Sequence, residues 1–210
     1  MWIPRASSVG QLMAYHDKNT LPDGAISYLE KELSKQVLDW EDEMDFATLE
    51  KGREVEDLSI ELYNDVRFTT YKKNAERKTT DLLTGECDID DEQNSLIIDI
   101  KSAFSKKSFP MILRIGGRKG YEWQLRAYMH LWDRDNAQIA YTLVDTPFHL
   151  IGRDPEDWHI VSHINPALRL STVDLSRCAV KEEQMINRIR LAQDWMNEEL
   201  DKRGILKCVA

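Results

Sequence analysis

The feature that most constrains this chain is a short apolar run that carries two charges, SLIIDIKSA at residues 95–103. Side chains alternate between the two faces of a β-strand, so a strand here places Asp99 and Lys101 together on one face. The other positions from 96 to 100 are apolar, with Leu96, Ile98 and Ile100 on one face and Ile97 on the other. An unpaired charge is costly to bury. The pattern therefore indicates either an ion pair on a half-exposed strand or a functional site on a core strand.

The preceding segment, TGECDIDDEQ at residues 84–93, predicts the partner strand of a hairpin. If the turn has an even length, either Gln93–Asn94 or Glu92–Ser95, Asp88 lies directly opposite Asp99, with Cβ atoms about 5 Å apart. Two carboxylates at that distance repel each other, and one takes up a proton unless a divalent cation lies between them. Carboxylate oxygens suit magnesium or manganese. The pair therefore predicts a cation site.

The register of the hairpin does not by itself single out Asp88. Glu86 and Asp90 lie on the same face of the strand, because each is two residues from Asp88. The position of Asp88 opposite Asp99, and its nearness to Gly85, favour Asp88 as the functional acid.

A third acid comes from a helix predicted at about residues 50–65. Apolar residues at helical spacing form its buried stripe, namely Val55, Leu58, Leu62 and Val66. Its solvent face carries Glu54, Asp57 and Glu61. Glu56 belongs to neither set and lies at the border of the core. It is either an ordinary surface glutamate or the third carboxylate of the site.

A helix predicted at residues 121–132 brings a glutamine to its inner face. That face is formed by Tyr121, Leu125, Tyr128 and Trp132. Gln124 falls on the same face, one turn before Tyr128. A buried glutamine needs hydrogen-bond partners, which either a polar active site or a neighbouring loop would supply.

The net charge of −9 argues against a nucleic-acid partner, because phosphate binding needs positive charge. The basic residues are nevertheless gathered beside the motifs. Residues 102–121 contain no acid, and their basic residues are Lys106, Lys107, Arg114, Arg118 and Lys119. A second basic stretch covers residues 67–78. Each stretch is either a solvated loop or a phosphate-binding surface, and their positions beside the motifs favour the second reading.

Length and composition predict one domain, residues 1–210, with a core that needs no disulfides, since 42% of the residues are hydrophobic. The three scattered cysteines predict free thiols in a reducing cytoplasm. No apolar run of membrane-spanning length occurs, so we expect no membrane partner. Helical segments around short strands predict the α/β class.

Periodicity and turn residues predict the remaining elements. A first helix starts at Ser8, with Gln11 completing a capping box, and the apolar stripe of a second is Ile26, Leu29, Leu33, Val37 and Trp40. Strands are predicted at residues 66–71, 86–90, 96–102, 137–146 and 168–175, with an irregular stretch at 148–166. The final helix carries Met185, Ile189, Ala192, Met196 and Leu200 and stops at Gly204.

Four motifs follow one another: G-x-x-x-E at Gly52 and Glu56, G-x-x-D at Gly85 and Asp88, D-x-K at Asp99 and Lys101, and Q-x-x-x-Y at Gln124 and Tyr128. This order resembles the PD-(D/E)XK nucleases of the RecB-like and lambda-exonuclease branch, in particular the YqaJ-type phage recombination exonucleases. The opening RASSVGQLM resembles their N-terminal helix start, whose serine lines the active site; Ser7 is the better match and Ser8 the second. Residues 140–147 resemble the strand after the Q-x-x-x-Y helix. The acidic helical stretch before Gly52 has no assigned counterpart.

The resemblance implies a restriction-endonuclease-like core and a nuclease that uses one or two Mg²⁺ or Mn²⁺ ions. The ligands would be Glu56, Asp88, Asp99 and the backbone carbonyl of Ile100. The ions would activate water and stabilise the leaving 3′ oxygen. Lys101 would orient or deprotonate the attacking water, while Gln124 and Tyr128 would position Lys101 and the DNA strand. The basic residues within 102–121 would contact phosphates, so DNA affinity should fall with salt.

The resemblance favours an exonuclease that digests linear duplex DNA in recombination. Two alternatives are a structure-specific or restriction-like endonuclease with the same site, and a non-catalytic DNA-binding module on the same fold. All metal-binding acids and the lysine are present, which favours an enzyme. The resemblance further implies a homo-oligomer, a trimer around DNA, and a single-strand annealing protein as partner.

Overall fold

The structure, a computed structural model, describes residues 2–41, 46–115 and 120–205. It begins with a 3₁₀ helix, Ala6–Leu12. The α-helices are α1 (Asp23–Leu38), α2 (Phe46–Glu54), α3 (Glu56–Arg67), α4 (Tyr121–Trp132) and α5 (Ala179–Lys202). The strands are β1 (Lys78–Thr79), β2 (Thr84–Gly85), β3 (Ile89–Asp91), β4 (Leu96–Ser102), β5 (Asn136–Thr142) and β6 (Leu170–Ser176).

The central sheet has four strands in the order β3-β4-β5-β6. β4 and β5 run parallel, whereas β3 and β6 are antiparallel to their neighbours. A parallel pair needs a long crossover, which α4 supplies between β4 and β5. β1 and β2 form a separate hairpin. The predicted α/β class, with a small mixed sheet flanked by helices, is confirmed.

Helices cover both faces of the sheet, because β4 is apolar on both. On one face Ile97 belongs to the large core built with α1, α4 and α5. On the other face Ile98 and Ile100 pack against α3. Asp99 and Lys101 alternate with these residues and therefore face α4, on the side of the large core.

The predicted helix at residues 50–65 is wrong in one respect, because it is two helices. Val55 leaves the helical conformation (φ −105°, ψ 12°) and separates α2 from α3. Val55 is buried, but Leu58, predicted to be buried beside it, is 49% exposed. Because the chain bends at Val55, Leu58 does not continue the buried stripe that a single straight helix would form.

The N-terminal prediction is also corrected. The first helix is a 3₁₀ helix that starts at Ala6 rather than Ser8, and no side chain caps it. In α1, Leu29 and Leu33 are buried as predicted, while Val37 and Trp40 are exposed at and beyond its end.

The predicted strand at residues 66–71 is wrong. Val66 and Arg67 complete α3, and Phe68 ends that helix in the left-handed backbone conformation (φ 57°). The chain that follows bonds to the helix instead of to a strand, since the Tyr71 N–H donates to Asn64 Oδ1 at 2.9 Å.

Most other predicted elements are confirmed with small shifts. β4 and α4 have the predicted bounds, and β6 is the predicted edge strand. The predicted strand at residues 86–90 forms only in part, because β3 starts at Ile89, and β5 ends at Thr142. The five apolar residues of the final helix are buried, and Gly204 follows it at φ 71°. No helix in the described ranges is both long and apolar enough to span a membrane.

Candidate active site

Asp99 and Lys101 project from β4 as a close ion pair, with Lys101 Nζ 2.8 Å from Asp99 Oδ2. Asp99 is only 1% exposed. The angles of this ion-pair contact are not those of a hydrogen bond. In the described part of the chain, Asp99 Oδ2 is one of two buried side-chain atoms without a hydrogen-bond partner. Burial lowers the pKa of Lys101, but the charges of Asp99 and Asp88 outweigh it and hold that pKa above its ordinary value. Lys101 is therefore a cation at neutral pH.

The hairpin register places Asp88 opposite Asp99, as predicted for an even-length turn. Ile89 pairs with Ile98, and the register continued by one residue brings the two acids together. The turn between the paired strands is Glu92–Ser95, four residues long.

Asp88 is held by the backbone of the neighbouring strand. The backbone ladder stops before it, and the N–H of Ile100 donates to Asp88 Oδ2 at 2.6 Å. Burial and then the charge of Asp99 raise the pKa of Asp88 to about 7, although Lys101 and the Ile100 N–H act in the opposite direction. Two carboxylates are thus held together against their mutual repulsion.

The other acids of this segment have basic partners elsewhere. Glu86 pairs with Arg77 at 3.0 Å. Asp90 accepts hydrogen bonds from two nitrogens of Arg134, at 2.8 and 3.0 Å. Of these three acids, Asp88 is the one that lies opposite Asp99 and accepts from the Ile100 N–H.

Gln124 reaches the site from α4. Its Nε2 donates to Asp99 Oδ1 at 3.0 Å and to the Tyr128 hydroxyl at 3.2 Å. Of the two interpretations of this buried glutamine, contact with the polar site is the one observed. Burial and then the charge of Asp99 raise the pKa of Tyr128, so its hydroxyl keeps its proton. The ring of Tyr121 lies 5.7 Å from Lys101 Nζ and covers that side of the lysine.

Glu56, the first residue of α3, lies at the edge of this group. It is near enough to Asp88 to contribute to the raised pKa of that acid. The carboxylate oxygens of Glu56, Asp88 and Asp99 do not all lie within 4.8 Å of one another. Instead, Lys73 Nζ donates to Glu56 Oε2 at 2.5 Å. Lys73 belongs to the basic stretch at residues 67–78, but no local signal distinguished it from its neighbours.

No family model and no curated protein sequence matches the chain. Among solved structures, a phage-related exonuclease from Haemophilus somnus 129PT is similar with a TM-score of 0.89 and 29% identity, over 96% of this chain and 96% of that one. The alkaline exonuclease LHK-Exo from Laribacter hongkongensis is similar in fold, with a TM-score of 0.64 and 13% identity over 99% and 94% of the two chains. The structure of LHK-Exo in complex with dAMP is similar with a TM-score of 0.61 and 14% identity, over 99% of this chain and 94% of that one.

The likeness to the Haemophilus protein covers almost the whole of both chains, and the motif residues of this chain meet in that shared fold. The chain has the fold of these exonucleases, which is consistent with the exonuclease branch of the PD-(D/E)XK proteins. The predicted restriction-endonuclease-like core is thereby confirmed.

In this fold, a cavity of about 300 Å³ lies beside Tyr128. Ser7 lines it together with Arg5 and Arg77. Ser8, the second match from the sequence, lies near the Tyr28 hydroxyl of α1 instead. Ser7 therefore shares a cavity with Tyr128, and two arginines line the same cavity.

Gly85 of the G-x-x-D motif is explained by close packing. A Cβ at this position would lie 3.0 Å from atoms of Ala6, Tyr128 and Leu131. Glycine thus lets β2 approach the 3₁₀ helix and α4 closely enough to place the following Asp88. Nothing lies within 4 Å of a Cβ built on Gly52, and the structure gives no steric reason for that glycine.

The basic segment after β4 packs on the turn around Trp158. The Lys106 N–H donates to the Trp158 carbonyl at 2.9 Å, and Lys107 Nζ lies 3.1 Å from the centre of the Trp158 ring. Lys107 and Arg114 are exposed. Arg118 and Lys119, also predicted to bind DNA, lie outside the described residues.

The donor set fits a divalent cation. Asp88 and Asp99 offer hard oxygen ligands, their repulsion would be relieved by a cation, and Asp99 Oδ2 has no hydrogen-bond partner within the described residues. Glu56 would join them by exchanging Lys73 for the cation. Elsewhere, Glu50, Glu54 and His149 bring their ligand atoms within 4.8 Å of one another. That group is mostly exposed, and its 3.1 Å contact between His149 and Glu54 is an ordinary surface pair.

Proposed function

We propose that this protein is a Mg²⁺- or Mn²⁺-dependent deoxyribonuclease that digests linear duplex DNA from its ends. The observation that carries the proposal is Asp99: a carboxylate 1% exposed, held beside a second acid, Asp88, with its Oδ2 contacted by the cationic Lys101 at 2.8 Å. The exonuclease names of the structural neighbours support the same activity. One or two ions would be held by Glu56, Asp88, Asp99 and the carbonyl of Ile100.

When bound, the metal would supply the positive charge that activates water and stabilises the leaving oxygen of the phosphodiester. Lys101 is kept protonated in the metal-free protein by Asp99 and Asp88. A cation that neutralised these acids would leave burial as the main effect on Lys101, which lowers its pKa and favours loss of a proton from Nζ. Lys101 would then serve to orient and deprotonate water.

Two other side chains would orient the site. Gln124 holds Asp99 Oδ1, which leaves Oδ2 turned toward the ion pair with Lys101. Tyr128 keeps its proton and so offers a hydroxyl donor to a phosphate oxygen.

DNA would be bound through its phosphates. Arg5 offers positive charge at the cavity beside Tyr128, while Arg77 and Lys73 would offer theirs by exchanging Glu86 and Glu56 for phosphates. Basic residues on the segment after β4 would extend this surface, namely Lys106, Lys107, Arg114, Arg118 and Lys119. A homo-oligomer that encloses DNA and a single-strand annealing partner are further proposals, supported by the resemblance of the motifs.

The direct test is digestion of a linear duplex labelled separately at its 5′ and 3′ ends, beside a covalently closed circle of the same sequence. We expect linear DNA to be degraded with Mg²⁺ or Mn²⁺, the circle to resist, and EDTA to stop the reaction. The label released first reports the polarity. Loss of the circle at the same rate would support the endonuclease alternative. Metal binding without any cleavage would support the non-catalytic module.

Gln124→Leu should lower kcat by about 10- to 100-fold, because Asp99 loses the donor that orients it and ligand orientation commonly contributes this much. The measurement is steady-state cleavage of linear duplex. Gln193→Leu is the matched control. Gln193 lies on α5, is as buried as Gln124, and donates to the carbonyls of Trp2 and Asp81. Equal losses in both variants would show a general effect of removing a buried amide.

A further inference from the structure

Lys51 of α2 is a buried cation that the mechanism above does not use. Its side chain is 1% exposed. Its ammonium lies within hydrogen-bond distance of four oxygens: the carbonyls of Ala103 (2.7 Å), Phe104 (3.0 Å) and Val144 (3.1 Å) and the hydroxyl of Thr146 (2.8 Å). An ammonium group has three protons, so these acceptors use its full donor capacity.

Stability alone does not explain a lysine at this position. Burial lowers the pKa of Lys51 to about 8, although the charge of Asp145 acts in the opposite direction, so the charged form prevails at neutral pH. Replacing a buried charge by an apolar side chain of similar volume is often neutral or stabilising. What an apolar residue does not provide is a set of directed bonds to the backbone of other segments.

The segments bonded by Lys51 leave the carboxyl ends of the two parallel strands. Ala103 and Phe104 follow Lys101 by two and three residues, just beyond β4. Val144 and Thr146 follow the end of β5. Lys51 therefore ties α2 to the sheet edge at which the ion pair of Asp99 and Lys101 lies.

A second contact ties the helical chain to the same place. The hydroxyls of Ser59, on α3, and Ser102, the last residue of β4, are 2.7 Å apart, and Ser59 is fully buried. Lys51 precedes Glu56 by five residues, and Ser59 follows it by three. The chain on either side of Glu56 is thus bonded to the end of β4 or just beyond it, by Lys51 on α2 and by Ser59 on α3.

We infer that Lys51 is a positioning residue of the metal site, which holds Glu56 in place against Asp99 and Lys101 through its bonds to the ends of β4 and β5. This inference rests on the proposed function, because the placement of Glu56 matters to a cation only if the site binds one.

Lys51→Met tests the inference, because methionine keeps most of the volume and removes all four bonds. Arg188→Met is the matched control. Arg188 is also 1% exposed, and its guanidinium donates to four backbone carbonyls, those of Leu12, Ala14, Tyr15 and Lys18. It ties α5 to the N-terminal segment and contacts none of the proposed metal ligands.

Two quantities are measured without DNA: the Kd for Mn²⁺ by titration calorimetry, and the urea midpoint of unfolding in EDTA. Both variants should unfold at lower urea. Only Lys51→Met should raise the Kd, by about tenfold, the lower range for loss of a residue that orients metal ligands. Arg188→Met should stay within about twofold of the unaltered protein.

An unchanged Kd in Lys51→Met, or an equal rise in both variants, would overturn the inference. If Lys51→Met does not fold, Thr146→Val is measured instead, because it removes one of the four acceptors of Lys51. It should raise the Kd for Mn²⁺ by about threefold, a part of the effect expected for Lys51→Met. An unchanged Kd in Thr146→Val would also overturn the inference. An unaltered protein that binds no Mn²⁺ contradicts the proposed function itself. Mn²⁺ binding that is indifferent to Lys51 contradicts only the role of this lysine.

Discussion

Lys101→Met is expected to lower the rate of DNA cleavage by about 10²- to 10⁴-fold, the contribution typical of a group that transfers or holds the reacting proton. Its Nζ lies 2.8 Å from Asp99 Oδ2, next to both proposed metal ligands of the hairpin. Methionine fills a similar volume but neither orients water nor offsets phosphate charge. Gln124 still donates to Asp99, so we expect the fold to be kept.

Single-turnover digestion of end-labelled linear duplex at saturating Mg²⁺ measures this effect, with circular dichroism as the check on folding. Lys202→Met is the control, because Lys202 is a surface lysine on α5 that pairs only locally with Glu199. The expected loss of rate would be absent if Lys101→Met cleaved DNA within about threefold of the rate of the unaltered protein. That result would remove Lys101 from the mechanism.

Asp88→Asn is expected to have two effects of opposite sign. Cleavage and Mn²⁺ binding should be lost, since a carboxylate ligand is removed. The metal-free protein should become more stable at pH 8, because the repulsion between Asp88 and Asp99 disappears. The asparagine amide oxygen can still accept the hydrogen bond from the Ile100 N–H.

The pH dependence follows from the pKa of Asp88, raised from 3.8 to about 7 by burial and by Asp99. Between these two values the folded protein binds more protons at Asp88 than the unfolded chain does. The free energy of unfolding therefore falls as pH rises through this window and is lowest above it. The stability advantage of Asp88→Asn should be small at pH 4 and full at pH 8.

Urea unfolding in EDTA at pH 4 and pH 8 measures this advantage. Asp90→Asn is the matched control, two residues further along the same segment. Asp90 is bonded to Arg134, so its replacement should lower stability instead of raising it. If Asp88→Asn were less stable than the unaltered protein at pH 8, the favourable contacts of Asp88 would outweigh its repulsion from Asp99.

Local sequence patterns predicted those parts of the site that depend on one element at a time. The alternation in β4 put Asp99 and Lys101 on a common face, and helical spacing put Gln124 on the inner face of α4 beside Tyr128. An even-length turn was enough to bring Asp88 opposite Asp99. These relations depend on the periodicity of side chains along a strand or a helix, which can be read from residues close together in the sequence.

Predictions failed where distant contacts compete with local preference. The apolar stripe at residues 50–65 reads as one helix, but the chain bends at Val55, which packs in a small core with Val144. Residues 66–71 are rich in β-branched and aromatic side chains. Their backbone is nevertheless taken up by Asn64, so the strand does not form.

By itself the sequence determined the arrangement of the candidate site: an acid, a second acid and a lysine on one hairpin, with a glutamine turned toward them from a helix. Only the tertiary structure decided which other acids of that hairpin are paired with arginines, because Arg77 and Arg134 arrive from other segments to pair with Glu86 and Asp90. It also decided that a lysine with no motif, Lys51, bonds the ends of two strands. The physical reason is that such partners are set by packing between segments far apart in the chain, which the spacing of residues along the sequence does not encode.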